Sequence, residues 1–314
     1  MGDILVTGGA GFIGSHVVDA YVQAGFSVAV VDDLSTGKRE NLNPLARFYR
    51  VDITDREALK EVFEREHPRY VNHHAAHINL RQSVEDPLHD AEVNILGTLN
   101  VLELSRIYGV EKVIFASTGG ALYGEVEKLP VEETYPPSPL SPYGVAKYSA
   151  EQYLRYYAAI WGLPYVALRY GNVYGPRQDP LGEAGVVAIF SRRILRGEPC
   201  MVFGDGTRTR DYVFVGDVAE ANLRALGAPS GEYNIGTGKE TSVLELVRIF
   251  EEIVGRKVEV LFTEERKGEV SRIALCTEKA RALLSWSPRV TLREGLERTF
   301  AWFVEEERHE GDGA

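Results

Sequence analysis

The sequence predicts an α/β protein: a Rossmann-type, doubly wound parallel sheet followed by a smaller, mixed α/β C-terminal lobe. Through the first half of the 314 residues, short apolar runs alternate with amphipathic stretches. This alternation is typical of a parallel sheet with helices on both faces. A glycine-rich turn follows the first run, and the second run ends in an acid. Beyond about Tyr170 the alternation becomes irregular, which indicates the second lobe.

The individual elements follow from the spacing of apolar residues. Strands are predicted at residues 4–7, 28–32, 48–52, 70–74 and 112–117, and helices at about 15–22, 55–66 and 82–107. Pro87 lies near the start of the last of these helices. In the second half we expect short strands at 201–203 and 212–215, and helices at 241–254 and 292–306.

The turn after the first strand carries Gly8, Gly11 and Gly14. Glycine lets the backbone approach a pyrophosphate without an intervening Cβ, and the following helix offers free N–H groups to the negative charge. The second strand ends in Asp32, a carboxylate placed for the ribose hydroxyls of an adenosine. The turn and the acid together predict a dinucleotide-binding site.

Composition restricts the class of protein. The net charge of −11 argues against nucleic acid as a partner, because phosphate binding needs a basic surface. Two cysteines, Cys200 and Cys276, cannot form a disulfide framework. No apolar stretch approaches the roughly 20 residues of a membrane span, and the first strand leaves no room for a signal peptide. We therefore expect a cytoplasmic protein that does not bind membranes.

The sharpest chemical signal is Tyr143 with Lys147, four residues apart and so on one face of a helix. A free tyrosine has a pKa near 10, and a neighbouring ammonium favours the phenolate. Lowering that pKa by about three units corresponds to about 4 kcal/mol. Thr118 adds a hydroxyl just past the end of a central strand, where ligands of such sheets collect. Surface tyrosine–lysine pairs are also common, so Thr118 is needed for the assignment.

Three histidines, His73, His74 and His77, raise the question of a metal site. Adjacent strand residues point to opposite faces, so His73 and His74 cannot easily share an ion. No carboxylate lies at a recognised ligand spacing. We expect no metal, and we expect these side chains to pack and hydrogen-bond near the cofactor.

With these parts together, the chain resembles the short-chain dehydrogenase/reductase superfamily in its extended, nucleotide-sugar form. More narrowly it resembles the UDP-glucose 4-epimerases. The resemblance covers nearly the whole chain. It is carried by residues 7–14, Asp32-Asp33-Leu34-Ser35-Thr36-Gly37, Asp52-Ile53, His74-Ala75-Ala76, the set Thr118, Tyr143 and Lys147, residues 168–176, Arg210-Asp211-Tyr212 and Arg266-Lys267-Gly268-Glu269.

The resemblance implies NAD as cofactor and a UDP-sugar as substrate. It implies an NAD-binding domain at residues 1–170, with a returning segment near 212–236, and a lobe at 171–314 that mainly binds the UDP-sugar. The implied cofactor contacts are Gly8, Gly11, Phe12, Ile13, Gly14, Asp32, Asp33, Asp52, Ile53, Ala75, Lys147 and Tyr170. Tyr143 is then the base, Lys147 its partner, and Thr118 hydrogen-bonds the reacting hydroxyl. The implied substrate contacts are Thr118, Tyr143, Asn172, Phe203, Arg210, Arg266 and Ile273.

Two features of the sequence differ from the family pattern, one that bears on the cofactor and one at the end of the fifth strand. Lys38 and Arg39 follow the acidic loop and suggest NADP, but Asp32 would repel a 2′-phosphate, which favours NAD. Gly119 and Gly120 stand where related dehydratases and decarboxylases need an acid, and this pair could loosen the strand end. Other UDP-sugar epimerases, dehydratases and reductases remain alternatives, as does a non-catalytic NAD-binding sensor.

The resemblance also bears on specificity and assembly. Ile273 falls where relatives restricted to UDP-glucose and UDP-galactose often carry a bulky aromatic residue. We therefore expect an intermediate pocket that also admits an N-acetylated sugar. A homodimer is implied through helices near residues 91–107 and 149–161, although the apolar faces there could equally belong to the core.

Overall fold

A computed structural model describes residues 2–181, 185–264 and 270–312. The strands are β1 (Ile4–Thr7), β2 (Val28–Asp32), β3 (Arg47–Arg50), β4 (Tyr70–His73), β5 (Lys112–Thr118), β6 (Tyr165–Tyr170), β7 (Asn172–Tyr174), β8 (Cys200–Phe203), β9 (Thr209–Arg210), β10 (Tyr212–Phe214), β11 (Gly231–Ile235), β12 (Thr241–Ser242) and β13 (Val260–Thr263).

The helices alternate with these strands in the first half, as predicted. They are α1 (Phe12–Gln23), α2 (Arg56–Glu66), α3 (Leu80–Glu85), α4 (Pro87–Ala91), α5 (Thr98–Ile107), α6 (Pro142–Trp161), α7 (Val186–Leu195), α8 (Val215–Ala225), α9 (Val243–Val254), α10 (Glu278–Leu284) and α11 (Leu292–Asp312). A 3₁₀ turn spans Arg39–Asn41, and a π-helical segment, Glu92–Gly97, joins α4 to α5.

Within the described ranges, seven parallel strands form one sheet in the order β11-β6-β5-β4-β1-β2-β3. The chain starts in the middle at β1, runs outward to β3, and then crosses to β4, β5 and β6. This reversal next to β1 creates the crevice in which such sheets bind ligands. The seventh strand, β11, comes from the second half of the sequence and pairs with β6. The predicted fold class is confirmed.

The sheet is buried on both faces. Alternate residues of β1 and β2 pack into two clusters: Leu5 and Val31 face α2 and α5, and Val6 and Val30 face α1. This explains why the strands are continuous apolar runs instead of alternating ones. Helix α8 packs on α1 through Ala219, and so covers the second face.

The helix predicted for residues 82–107 is interrupted. It is divided into α3, α4, the π-helical segment and α5. Proline disfavours helical geometry in the residue before it, and Asp86, before Pro87, leaves the helical conformation. The Asp86 side chain then caps α4 by accepting from the backbone N–H of His89. The predicted helical region is therefore broken at Asp86 and continues from Pro87 to Ile107 through the π-helical segment.

Three two-stranded pairs shape the second lobe: β7 with β10, β8 with β13, and β9 with β12. Only the last pair is antiparallel among them. Helices α7, α9 and α11 pack around these pairs over an apolar core that includes Phe190, Leu246 and Phe250. Among the described helices, none is long and apolar enough to cross a bilayer.

Candidate active site

The glycine-rich loop leaves β1 at the carboxyl edge of the sheet. Gly8 has a φ of +71°, and a Cβ on it would lie 2.5 Å from the backbone nitrogen of Ala75. A Cβ on Gly14 would overlap the carbonyl oxygen of Gly8. Ala75 in turn donates its backbone N–H to the carbonyl and hydroxyl oxygens of Thr7. Strand, loop and helix therefore meet backbone to backbone, and larger residues do not fit at Gly8 or Gly14.

The start of α1 is a site for an anion. Gly11 precedes the helix and has no side chain to bond the N–H groups of the first turn. Phe12, Ile13 and Gly14 supply these N–H groups, and the first turn contains no acidic residue. The positive end of the helix dipole adds to them. This cradle fits the pyrophosphate of a dinucleotide.

Asp32 ends β2 beside this loop. Its carboxylate accepts hydrogen bonds from the backbone N–H groups of Ala10, at 3.0 Å, and Leu34, at 2.9 Å. A Cβ on Gly37 would lie 2.7 Å from the same carboxylate, so the next loop packs directly on it. Burial raises the pKa of Asp32, and the backbone donors oppose this shift. Asp32 thus fixes the loop geometry and keeps further lone pairs for ribose hydroxyls.

Asp33, Asp52 and Ile53 follow the ends of β2 and β3. The Asp33 carboxylate accepts from the N–H two residues further on, and Asp52 accepts likewise from Thr54. Ile53 is buried, and a Cβ on Gly97 would lie 2.7 Å from its Cδ1 atom. Asp52 is exposed at the sheet edge. Asp33 and Asp52 thus offer polar groups near the surface at this edge of the sheet, and Ile53 offers a buried apolar side chain.

Tyr143 and Lys147 lie in the first turns of α6. Ser141 caps this helix, its hydroxyl accepting from the backbone N–H of Gly144. The Nζ atom of Lys147 donates to the carbonyl oxygen of Ala116 in β5, at 2.9 Å, and lies 5.9 Å from the centroid of the Tyr143 ring. The predicted base and its partner are therefore neighbours at the edge of β5.

The pKa values of this pair are set mainly by burial. Burial lowers the pKa of Lys147 to about 8, against the opposing effects of the carboxylates of Asp90 and Glu151. Burial, followed by the charge of Asp90, raises the pKa of Tyr143 above its ordinary value. The protein groups alone therefore shift Tyr143 in the direction opposite to the one expected from its lysine neighbour.

Thr118 is the last residue of β5 and is 9% exposed. Its hydroxyl oxygen accepts from the backbone N–H of Ala121, which leaves the hydroxyl hydrogen to donate elsewhere. Gly119 does not loosen the strand end: its N–H donates to the carbonyl oxygen of Tyr170 at 2.7 Å. A Cβ on Gly119 would lie 2.5 Å from the Leu275 side chain, so any larger residue there would have to displace Leu275. The two residues that follow Thr118 are both glycine and carry no acidic group.

Asp90 and Asn94 are buried beside this centre, and sequence reasoning missed them. The Asn94 side chain donates to Asp90 and to the carbonyl oxygen of His77, and it accepts from the His77 backbone N–H. Asn94 lies in the π-helical segment, a geometry frequent at functional sites. The sequence itself offered only an aspartate and an asparagine four residues apart within the helical region predicted for residues 82–107.

The three histidines hold the strand ends together. Hydrogen bonds join the two ring nitrogens of His73 to the hydroxyls of Thr7 and Thr98, at 2.7 and 2.9 Å. Burial lowers the pKa of His74 to about 3. His77 lies 3.3 Å from the Asp90 carboxylate. In the part of the chain that the structure describes, no three His, Cys, Asp or Glu side chains are grouped to hold a metal ion.

Tyr170 ends β6, next to the strand that carries Thr118. Its hydroxyl accepts from the side-chain amide of Asn222 and is hydrogen-bonded to His74 at 3.2 Å. The two rings stack with centroids 6.1 Å apart. Burial raises the pKa of the Tyr170 hydroxyl, so it stays neutral. Tyr170 is hydrogen-bonded to His74, and Ala75 is hydrogen-bonded to Thr7. Both predicted cofactor contacts therefore lie at the carboxyl edge of the sheet.

Asn172 begins β7 and lies beside the catalytic strand end. A Cβ on Gly120 would lie 3.6 Å from its side-chain oxygen. Arg210 lies in the short strand β9, where it pairs with Thr241 of β12, and its guanidinium donates to the carbonyl oxygen of Thr209. Asn172 and Arg210, both predicted substrate contacts, thus lie on short strands of the second lobe. Asn172 also adjoins Gly120.

Three predicted substrate residues have different surroundings. Ile273 is 1% exposed in an apolar cluster with Leu122 and Leu275. Phe203 ends β8 and is partly exposed. Arg266 lies outside the described residues. Because Leu275 packs against Gly119, the cluster that contains Ile273 adjoins the strand end of Thr118.

Comparison with known proteins identifies the family. The model of the NAD-dependent epimerase/dehydratase family matches residues 4–236. The chain belongs to this family. It is similar to the crystal structure of the Thermotoga maritima UDP-glucose 4-epimerase with UDP-glucose, with 52% identity, a TM-score of 0.95, and coverage of 97% of this chain and 99% of that one.

Two further relatives agree with this assignment. The Thermus thermophilus UDP-glucose 4-epimerase in complex with NAD is 50% identical, with a TM-score of 0.92 and coverage of 96% of this chain and 98% of that one. The UDP-glucose 4-epimerase of Mycolicibacterium smegmatis is 44% identical over 95% of this chain and 97% of its own length. The resemblance stated from the motifs is confirmed.

Proposed function

We propose that this protein is an NAD-dependent isomerase that inverts C4 of UDP-hexoses, interconverting UDP-glucose and UDP-galactose through a bound 4-keto sugar. The observation that carries the proposal is the arrangement of Tyr143, Lys147 and Thr118. The lysine is hydrogen-bonded to Ala116, two residues before the threonine, and lies beside the tyrosine ring. All three are on the sheet edge that holds the dinucleotide cradle.

The cofactor is NAD. The backbone at Gly8, Gly11 and Gly14, with the first-turn N–H groups of Phe12 and Ile13, fits its pyrophosphate. We assign the adenosine half to Asp32, Asp33, Asp52 and Ile53, and the nicotinamide half to Ala75, Tyr170 and Lys147. Bound there, NAD would supply the acceptor for a hydride from C4 of the sugar and the donor that returns it. Asp32 repels a 2′-phosphate, which supports NAD over NADP.

The side chains of the site divide the remaining chemistry. Tyr143 removes the proton from the 4-hydroxyl as C4 is oxidised and returns it after the keto sugar has turned. Lys147 supplies a positive charge next to the phenolate. Thr118 donates its hydroxyl hydrogen to the oxygen on C4 and positions it. Because the hydride and the proton both return to the sugar, the reaction consumes no cofactor.

We assign substrate recognition to the second lobe. Asn172 and Arg210, with Arg266 outside the described residues, contact the UDP moiety, since arginine presents a fork of donors to phosphate. Phe203 packs on the uracil ring, and Ile273 limits the size of the sugar pocket. In this proposal residues 1–170, with the segment near 212–236, bind NAD, and residues 171–314 mainly bind the UDP-sugar.

Other chemistries of the family are disfavoured by the strand end. Elimination and decarboxylation need an acid beside the active-site hydroxyl, and Gly119 and Gly120, which follow Thr118, have no side chain to supply one. A non-catalytic sensor needs neither a buried lysine beside a tyrosine nor a substrate lobe. The glycines after Thr118 and the pairing of Tyr143 with Lys147 therefore support an epimerase over these alternatives.

The direct experiment incubates purified protein with UDP-galactose and no added NAD, and follows the anomeric protons by NMR. The proposal requires UDP-glucose to accumulate to an equilibrium mixture, which is also reached from UDP-glucose. A product that has lost water would instead assign a dehydratase, and absence of any product would contradict the proposal.

We also propose a homodimer. The outer face of α6 exposes Tyr156, Ile160 and Trp161, and Leu96 of the neighbouring π-helical segment is exposed as well. Contiguous apolar surface of this kind marks interfaces. Light scattering of the eluting protein measures the mass in solution, and a mass of one chain would contradict the dimer. The cytoplasmic location and the absence of nucleic-acid and membrane partners stay predictions.

A further inference from the structure

Asp211, between Arg210 and Tyr212, is completely buried and accepts four hydrogen bonds. One carboxylate oxygen accepts from the backbone N–H and the hydroxyl of Thr237, at 2.7 and 2.6 Å. The other accepts from the backbone N–H groups of Gly238 and Leu275, each at 3.0 Å. The four donors come from two separate segments of the chain, 26 to 64 positions away.

The same residue holds a third segment through its backbone. The N–H of Asn172 donates to the carbonyl oxygen of Asp211 at 2.7 Å. A Cβ on Gly171 would lie 2.7 Å from this carbonyl oxygen, and a Cβ on Gly236 would lie 2.5 Å from the carboxylate. Gly171 and Gly236 therefore pack directly against Asp211, and neither the segment of Gly171 nor that of Gly236 can move closer to it.

These segments carry the residues assigned to the substrate. Arg210 is the preceding residue, Asn172 is bonded to the Asp211 backbone, and Ile273 lies two residues before Leu275. Leu275 also fills the space beside Gly119, at the end of the catalytic strand. One side chain thus connects three parts of the substrate site that come from distant parts of the sequence.

A carboxylate is the group that these donors require. All four partners are N–H or O–H groups, and an ionised carboxylate accepts at every position. Burial raises the pKa of Asp211, and the donors oppose that shift. An asparagine has the same size, but its amide would turn two hydrogens toward N–H donors. That replacement removes accepted hydrogen bonds and leaves buried donors unsatisfied.

We propose that Asp211 is a positioning residue for recognition of the UDP-sugar, which aligns Arg210, Asn172 and the segment of Ile273 with one another. It contacts neither substrate nor cofactor and acts through these neighbours. The inference rests on the proposed UDP-sugar site. It predicts that losing the carboxylate weakens binding of the nucleotide while the residues assigned to NAD, which Asp211 does not hold, remain intact.

The experiment measures UDP binding by calorimetry to the NAD-containing wild-type protein and to Asp211→Asn, together with bound NAD and melting temperature. The matched control is Asp217→Asn. Asp217 is also a buried carboxylate that accepts two backbone N–H groups, from Arg289 and Val290, which are not assigned to the substrate.

We expect Asp211→Asn to weaken UDP binding by at least about tenfold, which corresponds to about 1.4 kcal/mol, with bound NAD unchanged. Asp217→Asn should lower the melting temperature with UDP affinity within twofold of wild type. Equal UDP affinity in Asp211→Asn and wild type would overturn the inference. A wild-type protein that holds NAD but does not bind UDP would overturn the proposed function, and the inference with it.

If Asp211→Asn does not fold, a second variant, Thr237→Val, tests the same inference. Thr237→Val removes one hydroxyl donor from the carboxylate and keeps the backbone bonds. We expect a loss of UDP affinity of about threefold or more, with KM for the UDP-sugar rising and kcat nearly unchanged. Unchanged affinity and KM in this variant would overturn the inference.

Discussion

The ammonium of Lys147 donates a hydrogen bond to the carbonyl oxygen of Ala116 across 2.9 Å, and so joins helix α6 to the central strand β5. Four residues further along α6, Glu151 accepts from the hydroxyl of Ser117 at 2.7 Å. Two consecutive positions of β5 are therefore fixed to the helix immediately before Thr118. The proposed base and the proposed hydroxyl donor keep a constant spacing as a result.

Replacing Tyr143 by phenylalanine should remove the base and leave the site otherwise intact. We expect kcat to fall about 10²- to 10⁴-fold, the range for loss of a general base, with little change in UDP-sugar binding. The control is Tyr153→Phe, an exposed tyrosine on the same helix. Steady-state rates and calorimetric affinities check both. Wild-type turnover in Tyr143→Phe would show that another group takes the proton.

Binding of NAD should weaken at alkaline pH because of Lys147. Burial lowers the pKa of this residue to about 8, so its ammonium is present below pH 8 and lost above it. The ammonium is the form that donates with a full charge to the nicotinamide ribose. We therefore expect the dissociation constant of NAD to rise between pH 8 and 9.5.

The matched measurement uses Lys147→Ala. This variant should bind NAD more weakly than wild type at pH 7, and its affinity should not change across the same interval. If the two proteins show the same dependence on pH, another group is responsible for it.

The buried ion pair of Glu151 with Arg169 should be costly to break. Both side chains are almost completely buried, and two hydrogen bonds at 3.0 and 2.7 Å join them. Burial disfavours the charge of Arg169, but Glu151 raises the pKa of the guanidinium above its usual value, so the charge persists. Glu151→Gln leaves this buried cation without its negatively charged partner.

We expect Glu151→Gln to lower the free energy of unfolding by about 3–5 kcal/mol in denaturant titrations. Glu294→Gln removes an exposed pair with Arg298 and should cost less than about 1 kcal/mol. Equal effects of the two substitutions would show that the buried pair is not the stabilising element.

Specificity for the sugar should change at Ile273. We expect turnover of UDP-N-acetylglucosamine besides UDP-glucose and UDP-galactose, because isoleucine leaves more room than tyrosine. Ile273→Tyr should reduce kcat/KM selectively for the N-acetylated substrate. An unchanged ratio of the two activities would show that Ile273, which is buried in an apolar cluster, does not limit the pocket.

The fold and the dinucleotide loop could be predicted because their signals are local. Continuous apolar runs specify strands buried on both faces, and the glycine at 14 is required by a backbone contact with Gly8 in the same loop. The interruption at Asp86 was less visible, since a proline near a helix start is ordinary. The π-helical segment has no recognised sequence pattern, and Asn94 was missed with it.

The substrate side depended on pairings across the sequence. The four donors to Asp211 lie in two distant segments, and no periodicity relates them to the position of this residue. The direction of the pKa shift of Tyr143 also escaped sequence reasoning, because it is set by burial and then by the charge of Asp90, and only the packed structure reveals these causes. Residue types at a site were predictable, and their surroundings were not.

The central claim is that NAD is held by the protein and returns the hydride to the sugar from which it came. The measurement is the fate of deuterium at C4 of UDP-glucose, incubated with the enzyme and an excess of free NAD. The account predicts that the deuterium remains at C4 in both UDP-glucose and UDP-galactose, with none in the free cofactor. Deuterium in free NADH, with accumulation of an oxidised sugar, would contradict it and assign a dehydrogenase.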